Sequence, residues 1–305
     1  MRVATFNVQN LRLRRRDGRR ILDGASDDDT PEPASSDTLA FADRVKTARI
    51  IAAAGADVVA LQEVFDLETL DFFNDRFLIP AGAKDYRHRY CIKGNDGRGL
   101  NVAALSRFAA KQVQSHAEKS GAELGLTDLS KELRDLPLFR RDCLEIDLDT
   151  AVLFICHFKA PYPDVEKALR VRCAEAQAVR RLVEDRFPDP ESRRWIVLGD
   201  FNEPAPYECQ SGSALAVFSD GFAVDLLDRL PKGRDWTYEL PESHLHTRPD
   251  RILASPALAR EFPDVRPRII RSGMNSERLE TGGGSGGWHP RASDHALVYA
   301  DFPGL

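Results

Sequence analysis

The 305-residue chain lacks any apolar run near the ~20 residues that a membrane span requires. Its longest such runs, like residues 151–156, stop far short of that. Cysteine is sparse: Cys91, Cys143, Cys156, Cys173 and Cys209 make an odd number with no C-x-x-C pair. That argues against a disulfide framework or a zinc knuckle and favours reduced thiols. Neither sign of charge dominates, since 43 Lys and Arg face 48 Asp and Glu, for a net charge of −5. A wholesale basic protein that coats nucleic acid is excluded, while a local basic patch is not. No internal repeat is present. The N-terminus lacks the basic start, apolar stretch and small-residue cleavage site of a secretory signal, because Met1 and Arg2 run straight into the strand-like VATFNV. A cytoplasmic location is therefore the expectation, and nothing in the sequence implies an obligate protein partner.

What remains is an ordinary globular composition, 42% hydrophobic and 30% charged. Short β-rich apolar runs recur at 3–8, 58–61, 102–105, 143–148, 152–158, 195–198, 251–254 and 296–300. Runs of this length suit strands buried on both faces. Two segments have helical spacing. One starts at a cap at Asp37 or Thr38 and runs to about Ala54, with Leu39, Ala42, Val45, Ala48 and Ala52 on one side. The other covers about 164–187, with Val165, Leu169, Ala176, Val179 and Val183 as its stripe and Pro188 as its stop. Irregular alternation of strands and helices predicts a layered α/β protein. No interdomain linker is visible, so residues 1–305 read as one domain. Residues 11–37, six arginines followed by an acidic stretch rich in Ser and Pro, read as a flexible surface loop. The glycine run 281–287 reads as another.

Polar residues fall at the ends of the predicted strands: Asn7, Gln62 and Glu63, His157, Asp200 and Asn202, Asp250, then Asp294 and His295. Strand ends place side chains at the rim of a sheet, on a rigid base. Glu63, Asp200, Asp250 and Asp294 are four carboxylates, which repel one another unless a cation offsets them. Hard oxygen ligands select Mg²⁺, Mn²⁺ or Ca²⁺ over zinc. Phosphate-ester hydrolysis needs such a cation, a base for water and donors for the developing charge.

The motifs TFN (5–7), LQEV (61–64), His157 in CHFKAP, GDFN (199–202), PDRIL (249–253) and SDH (293–295) resemble, in their order, the endonuclease/exonuclease/phosphatase superfamily, with deoxyribonuclease I as a familiar member. The resemblance spans residues 5–295 and implies a four-layer α/β sandwich, two mixed sheets face to face flanked by helices. It implies a metal-dependent phosphodiesterase, a nuclease on DNA, using Mg²⁺ with Mn²⁺ as a substitute. Glu63 would ligate the metal with Asn7 and Asp294. Asp200 would orient or deprotonate the attacking water, and Asn202 would hydrogen-bond the scissile phosphate. His295 would act as base or phosphate donor, with Asp250 holding its tautomer. His157 is similar to the second histidine of deoxyribonuclease I, which serves the leaving oxygen; the carboxylate that pairs with that histidine is not identifiable here.

Asn101 either lines the site or bonds the backbone. Lys159 either reaches a phosphate oxygen or is solvated. Arg12, Arg14 and Arg15 either hold backbone phosphates or form a surface turn balanced by the acids that follow. Trp288 either stacks on a base or anchors its loop, and His244 and His246 are given no metal role. Two rival functions share these residues. The same fold could hydrolyse an inositol phosphate, a sphingolipid head group or a small nucleotide. A non-catalytic binding module would lack one or more of the four carboxylates, and all four are present.

Overall fold

The computed structural model describes residues 1–28, 30–203, 212–241, 243–274 and 290–305. Trp288 and the 281–287 glycine run lie outside the described residues. The strands, in chain order, are β1 (Arg2–Leu11), β2 (Leu13–Arg16), β3 (Arg19–Leu22), β4 (Val58–Val64), β5 (His88–Cys91), β6 (Asn101–Ser106), β7 (Gln112–Ser115), β8 (Cys143–Asp147), β9 (Val152–His157), β10 (Trp195–Asp200), β11 (Val224–Asp225), β12 (Tyr238–Glu239), β13 (His246–Thr247), β14 (Asp250–Ala254), β15 (Arg268–Ile270) and β16 (Leu297–Asp301). The α-helices are α1 (Asp37–Ala54), α2 (Leu67–Phe73), α3 (Lys131–Asp135), α4 (Val165–Arg186) and α5 (Pro256–Glu261). Among the described residues, no helix is long and apolar enough to cross a membrane.

Two six-stranded sheets carry the fold, in the orders β15-β16-β1-β4-β6-β5 and β11-β14-β10-β9-β8-β7. Each is mixed: β1 runs parallel to β4, and β9 parallel to β10, while their other neighbours are antiparallel. The period of two along each strand sorts side chains into layers. Val3, Val58 and Ala60 meet Ile155, Ile196 and Leu198 between the sheets. Ala4, Phe6, Val59 and Leu61 face outward to Ala48, Ile51, Leu70 and Phe73 of α1 and α2. On the other side Phe154, Cys156, Trp195 and Val197 pack against Ala176, Val179 and Val183 of α4. Helix, sheet, sheet, helix is the four-layer α/β sandwich expected. Both faces of each central strand are covered, which is why those strands read as continuous apolar runs.

The helices begin and end for local reasons. Ser36, rather than Asp37 or Thr38, caps α1 by accepting from Leu39 N, and Gly55 ends it at φ 55°, a left-handed conformation that glycine adopts without Cβ strain. The buried side of α1 also differs from the expected stripe. Ala40, Asp43, Arg44, Thr47, Ala48, Ile51 and Ala54 are buried, whereas Leu39, Ala42, Val45 and Ala52 are half-buried. Asp43 accepts from the backbone N–H groups of Ala25 and Arg291, and Arg44 donates to loop and strand carbonyls, so both polar residues join the apolar ones on the buried side. Asp164 caps α4 by accepting from Lys167 N.

The 11–37 segment is corrected most. Leu13–Arg16 and Arg19–Leu22 pair as an antiparallel hairpin. Asp23 and Asp27 behind it are buried, with Asp27 accepting from Gly24 N at 2.6 Å and Ser35 N at 2.6 Å. Asp27 thus supplies hydrogen-bond acceptors to the connection on both of its sides.

Candidate active site

The two sheets aim the ends of their central strands at one place. Asp200, the last residue of β10, stands in register with His157 at the end of β9 and with Asp250 at the start of β14. Gly199 makes that closeness feasible: at φ 146° a Cβ there would lie 1.9 Å from the Cys156 carbonyl oxygen. From the other sheet Asn7 reaches across, its Nδ2 donating to Asp200 Oδ2 at 3.0 Å and to Glu63 Oε1 at 3.2 Å. Glu63 sits on a bulge, where pairing passes from Gln62↔Val102 to Val64↔Asn101 and φ is 67°. A bulge re-aims a side chain that would otherwise follow the strand's alternation.

Asp200 is the hub and is only 1% exposed. Its Oδ1 accepts from Asn202 N at 2.8 Å. Its Oδ2 faces His157 Nε2 at 3.5 Å and His295 Nε2 at 3.8 Å. His295 Nδ1 lies 2.8 Å from Asp250 Oδ2, which also accepts from Thr237 Oγ1 at 2.7 Å. This is the carboxylate–imidazole pair the sequence suggested, with Thr237 as a second anchor. Burial alone would discourage charge on His295, but Asp250, Asp200 and Asp294 outweigh it and raise its pKa well above the ordinary value. Burial raises Asp200, with Asp250 adding to the rise and His295 opposing it. His157 goes the other way: burial first, then Arg141, His295 and Arg98, push its pKa well down. The two histidines are thus driven in opposite directions, His295 toward the charged imidazolium by its carboxylates and His157 toward the neutral imidazole by burial and nearby positive charge. No carboxylate reaches His157 Nδ1, which is buried without a partner among the described residues.

Glu63 and Asp294 form the second group. Burial raises the Glu63 pKa, Asp294 adds to the rise, and the Asn10 N–H and the Asn7 amide offset it in part. Glu63 Oε2 accepts from Asn10 N at 3.0 Å, and Asp294 N donates to Gln9 Oε1 at 3.1 Å. Among the described residues no lysine or arginine forms an ion pair with either carboxylate. Two adjacent all-oxygen ligands without a cationic partner fit a hard divalent cation. Asn7 as placed turns its nitrogen to the carboxylates and its Oδ1 to Gln9 N, at 3.0 Å, so its oxygen would reach a cation only with the amide turned over. Asp200, Asp250 and His295 also cluster tightly enough to hold an ion. Within that cluster the His295 Nδ1 contact and the Thr237 bond share Asp250 Oδ2, while Asp250 Oδ1 has no hydrogen-bond partner among the described residues.

The remaining candidates separate from the centre. Asn202, at φ 50°, spends its Nδ2 on Phe158 O at 3.0 Å and Asp200 Oδ2 at 3.4 Å, so it braces Asp200 instead of presenting a free donor to phosphate. Asn101 bonds backbone, accepting from Gly94 N at 2.8 Å and donating to Phe65 O at 2.7 Å. Lys159 Nζ bonds the carbonyls of Ala160 and Tyr162. Arg14 is held by Asp23 at 2.5 Å and by the Thr30 and Pro31 carbonyls. Arg15 pairs with Glu68 at 3.1 Å, and Arg12 lies over the Phe65 ring at 4.9 Å. The hairpin charges are thus matched by nearby acids and aromatics. Three residues were missed from sequence: Thr237, Tyr238, whose ring packs 4.9 Å from that of His295, and Arg141, the charge beside His157. Tyr238 begins the two-residue strand β12, Thr237 immediately precedes it, and Arg141 sits in a loop, so no apolar run marks any of them.

The sequence profile of the Endonuclease/Exonuclease/phosphatase family matches residues 4–295. A comparison with curated proteins found no match. Among solved structures, a 3'-5' exonuclease (NExo) from Neisseria meningitidis is similar at TM-score 0.56 and 20% identity, covering 99% of each chain. A Bacteroides thetaiotaomicron mannosyl-6-phosphatase is similar at TM-score 0.57 and 16% identity, covering 99% of this chain and 98% of that one. Truncated Caenorhabditis elegans TDP2 gives TM-score 0.55 and 15% identity, covering 98% and 96%. Likeness at these identities establishes the fold.

Proposed function

The chain belongs to the Endonuclease/Exonuclease/phosphatase family, and from that membership we propose that it is a divalent-cation-dependent phosphodiesterase that hydrolyses DNA. The observation that carries the reading is the Asp200 carboxylate, buried and braced by Asn7 and Asn202, with the Asp250-paired His295 across from it. Glu63 and Asp294, with Asn7, would hold Mg²⁺ or Mn²⁺. Such a cation supplies neutralisation of the phosphoryl oxygens when bound. Asp200 takes the proton of the attacking water, a task suited to a carboxylate whose basicity burial has raised. His295 remains charged through Asp250 and donates to a phosphoryl oxygen as negative charge grows there. His157, neutral and fixed at the strand end, orients Asp200 from the other side. Water attacks phosphorus in line, and the leaving oxygen departs on the opposite face.

DNA as substrate draws support from the similarity to an exonuclease. A second reading, a small phosphoester, draws support from the engaged state of Arg14, Arg15 and Lys159 and from the similarity to a sugar phosphatase. Initial rates on labelled DNA, on a small aryl phosphodiester and on a hexose 6-phosphate separate the two. A kcat/KM for DNA at least ~10²-fold above both small esters supports the first. The reverse order replaces it with the second.

A further inference from the structure

Arg44, on α1, is 0% exposed and touches no candidate ligand directly. Its guanidinium instead gathers five backbone carbonyls: Nε to Asp23 O at 2.6 Å, Nη1 to Val8 O at 2.7 Å, and Nη2 to Gln9 O at 2.7 Å, Gly24 O at 3.1 Å and Asn10 O at 3.2 Å. The carbonyls of Val8, Gln9 and Asn10 belong to a bulge within β1, where pairing with β4 passes from Asn7↔Gln62 to Leu11↔Val64 and Gln9 and Asn10 are consecutively left-handed, at φ 49° and 52°. Non-glycine residues hold that conformation at a cost, so something must fix it. This short bulge bonds Glu63 and Asp294, and it holds Asn7 in the orientation that keeps its oxygen on Gln9 N. Gln9 N donates to Asn7 Oδ1 at 3.0 Å, Asn10 N donates to Glu63 Oε2 at 3.0 Å, and Gln9 Oε1 accepts from Asp294 N at 3.1 Å.

We propose that Arg44 is a positioning residue for the cation site: its planar fork locks the Gln9–Asn10 bulge, and that bulge sets the spacing of Glu63 and Asp294. The five donors of a guanidinium suit this task, whereas a lysine has three donors on one atom and cannot span the same carbonyls. Burial lowers the Arg44 pKa to about 10, with Asp43, Asp23, Asp27 and Glu63 opposing the fall, so the group stays charged at neutral pH. The inference rests on the cation reading above.

Isothermal titration of Mn²⁺ into the full chain tests it. Wild type, Arg44→Lys, Gln9→Ala and Arg172→Lys are compared, each with its Tm and circular dichroism. Arg172 is equally buried but bonds the Lys159 carbonyl, away from the three ligands, and so controls for the cost of altering any buried arginine. The expected result is at least ~10-fold weaker Mn²⁺ binding by Arg44→Lys, the scale of losing an outer-shell partner. Arg172→Lys stays within about threefold of wild type on the same scale. Gln9→Ala, which alters a half-buried side chain and leaves the core intact, weakens binding by at least ~3-fold and keeps the test readable if Arg44→Lys does not fold. Folded Arg44→Lys with wild-type affinity, or equal losses in both arginine variants, overturns the proposal. If Arg44→Lys does not fold, unchanged affinity in Gln9→Ala overturns it. Wild type that binds no Mn²⁺ instead overturns the underlying cation reading and removes the proposal with it.

Discussion

Replacing Asp250 by Asn isolates the carboxylate–imidazole pair with a change of one heavy atom. Asp250 is fully buried, and its Oδ2 serves both His295 Nδ1 at 2.8 Å and Thr237 Oγ1 at 2.7 Å. Oδ1 has no partner among the described residues. An asparagine that keeps its oxygen on His295 puts an unsatisfied NH₂ in the Oδ1 position. One that turns over sets its NH₂ against the ring nitrogen and forces the wrong tautomer. In both cases the largest of the charges that raise His295 is gone, with Asp200 and Asp294 remaining. A hydrogen bond to a charged group contributes about 1.5–3 kcal/mol, and loss of acid–base function costs 10²–10⁴-fold. The expected outcome is a kcat at least ~10²-fold below wild type with KM little changed. Initial rates under saturating Mg²⁺ measure this, and an imidazole NMR titration should show the His295 pKa moving down. A folded Asp250→Asn protein with kcat within about threefold of wild type refutes the pair as a working unit, since a lost acid–base group costs far more.

Asn101→Ala should lower unfolding free energy by about 2–4 kcal/mol in urea, because it strands the buried Gly94 N–H and Phe65 carbonyl; an unchanged stability with raised KM would instead put Asn101 on the substrate. Gly199→Ala should fail to fold or lose most activity, since its Cβ would lie 1.9 Å from the Cys156 carbonyl oxygen; a soluble, active variant with wild-type Tm contradicts that geometry. Asp142 gives a pH prediction. Burial lifts its pKa from 3.8 to about 6, against the bonds from Ser115 and His116. The native state then binds this proton more tightly than the unfolded chain, so the stabilisation is full below pH ~4 and is lost as pH rises through ~6, roughly 3 kcal/mol in all. Urea melts of wild type and Asp142→Asn across that window should diverge accordingly, and parallel curves would refute the shift.

The parts legible in sequence were those written by burial. The central strands alternate between two packed layers, so each appears as an apolar run, and the polar residues at the ends of those runs are the ones the two sheets bring together. Asn7, Glu63, His157, Asp200, Asp250 and His295 stand at such ends in the sequence and converge in the structure. What failed to show was set by satisfaction of backbone rather than by burial of apolar surface. The hairpin at 13–22 looked like a charged loop because its strands are exposed and its arginines pair with Asp23, Asp37 and Glu68. Arg44 and Asp43 broke the apolar periodicity of α1, since they face loop carbonyls and amides. Asn202 and Asn101 carried the right chemistry for phosphate, yet their amides are consumed by nearby groups, a fact that depends on tertiary contacts alone.

The most direct test of the account is cleavage of supercoiled plasmid by the wild-type protein and by Asp200→Ala, each with Mg²⁺, with Mn²⁺ and with EDTA. The account predicts nicked or linear DNA from wild type with either cation, none with EDTA, and at least ~10²-fold slower cleavage by the variant. Cleavage that persists in EDTA, or that Asp200→Ala performs at the wild-type rate, would contradict the claim that this cation-assisted carboxylate centre hydrolyses DNA.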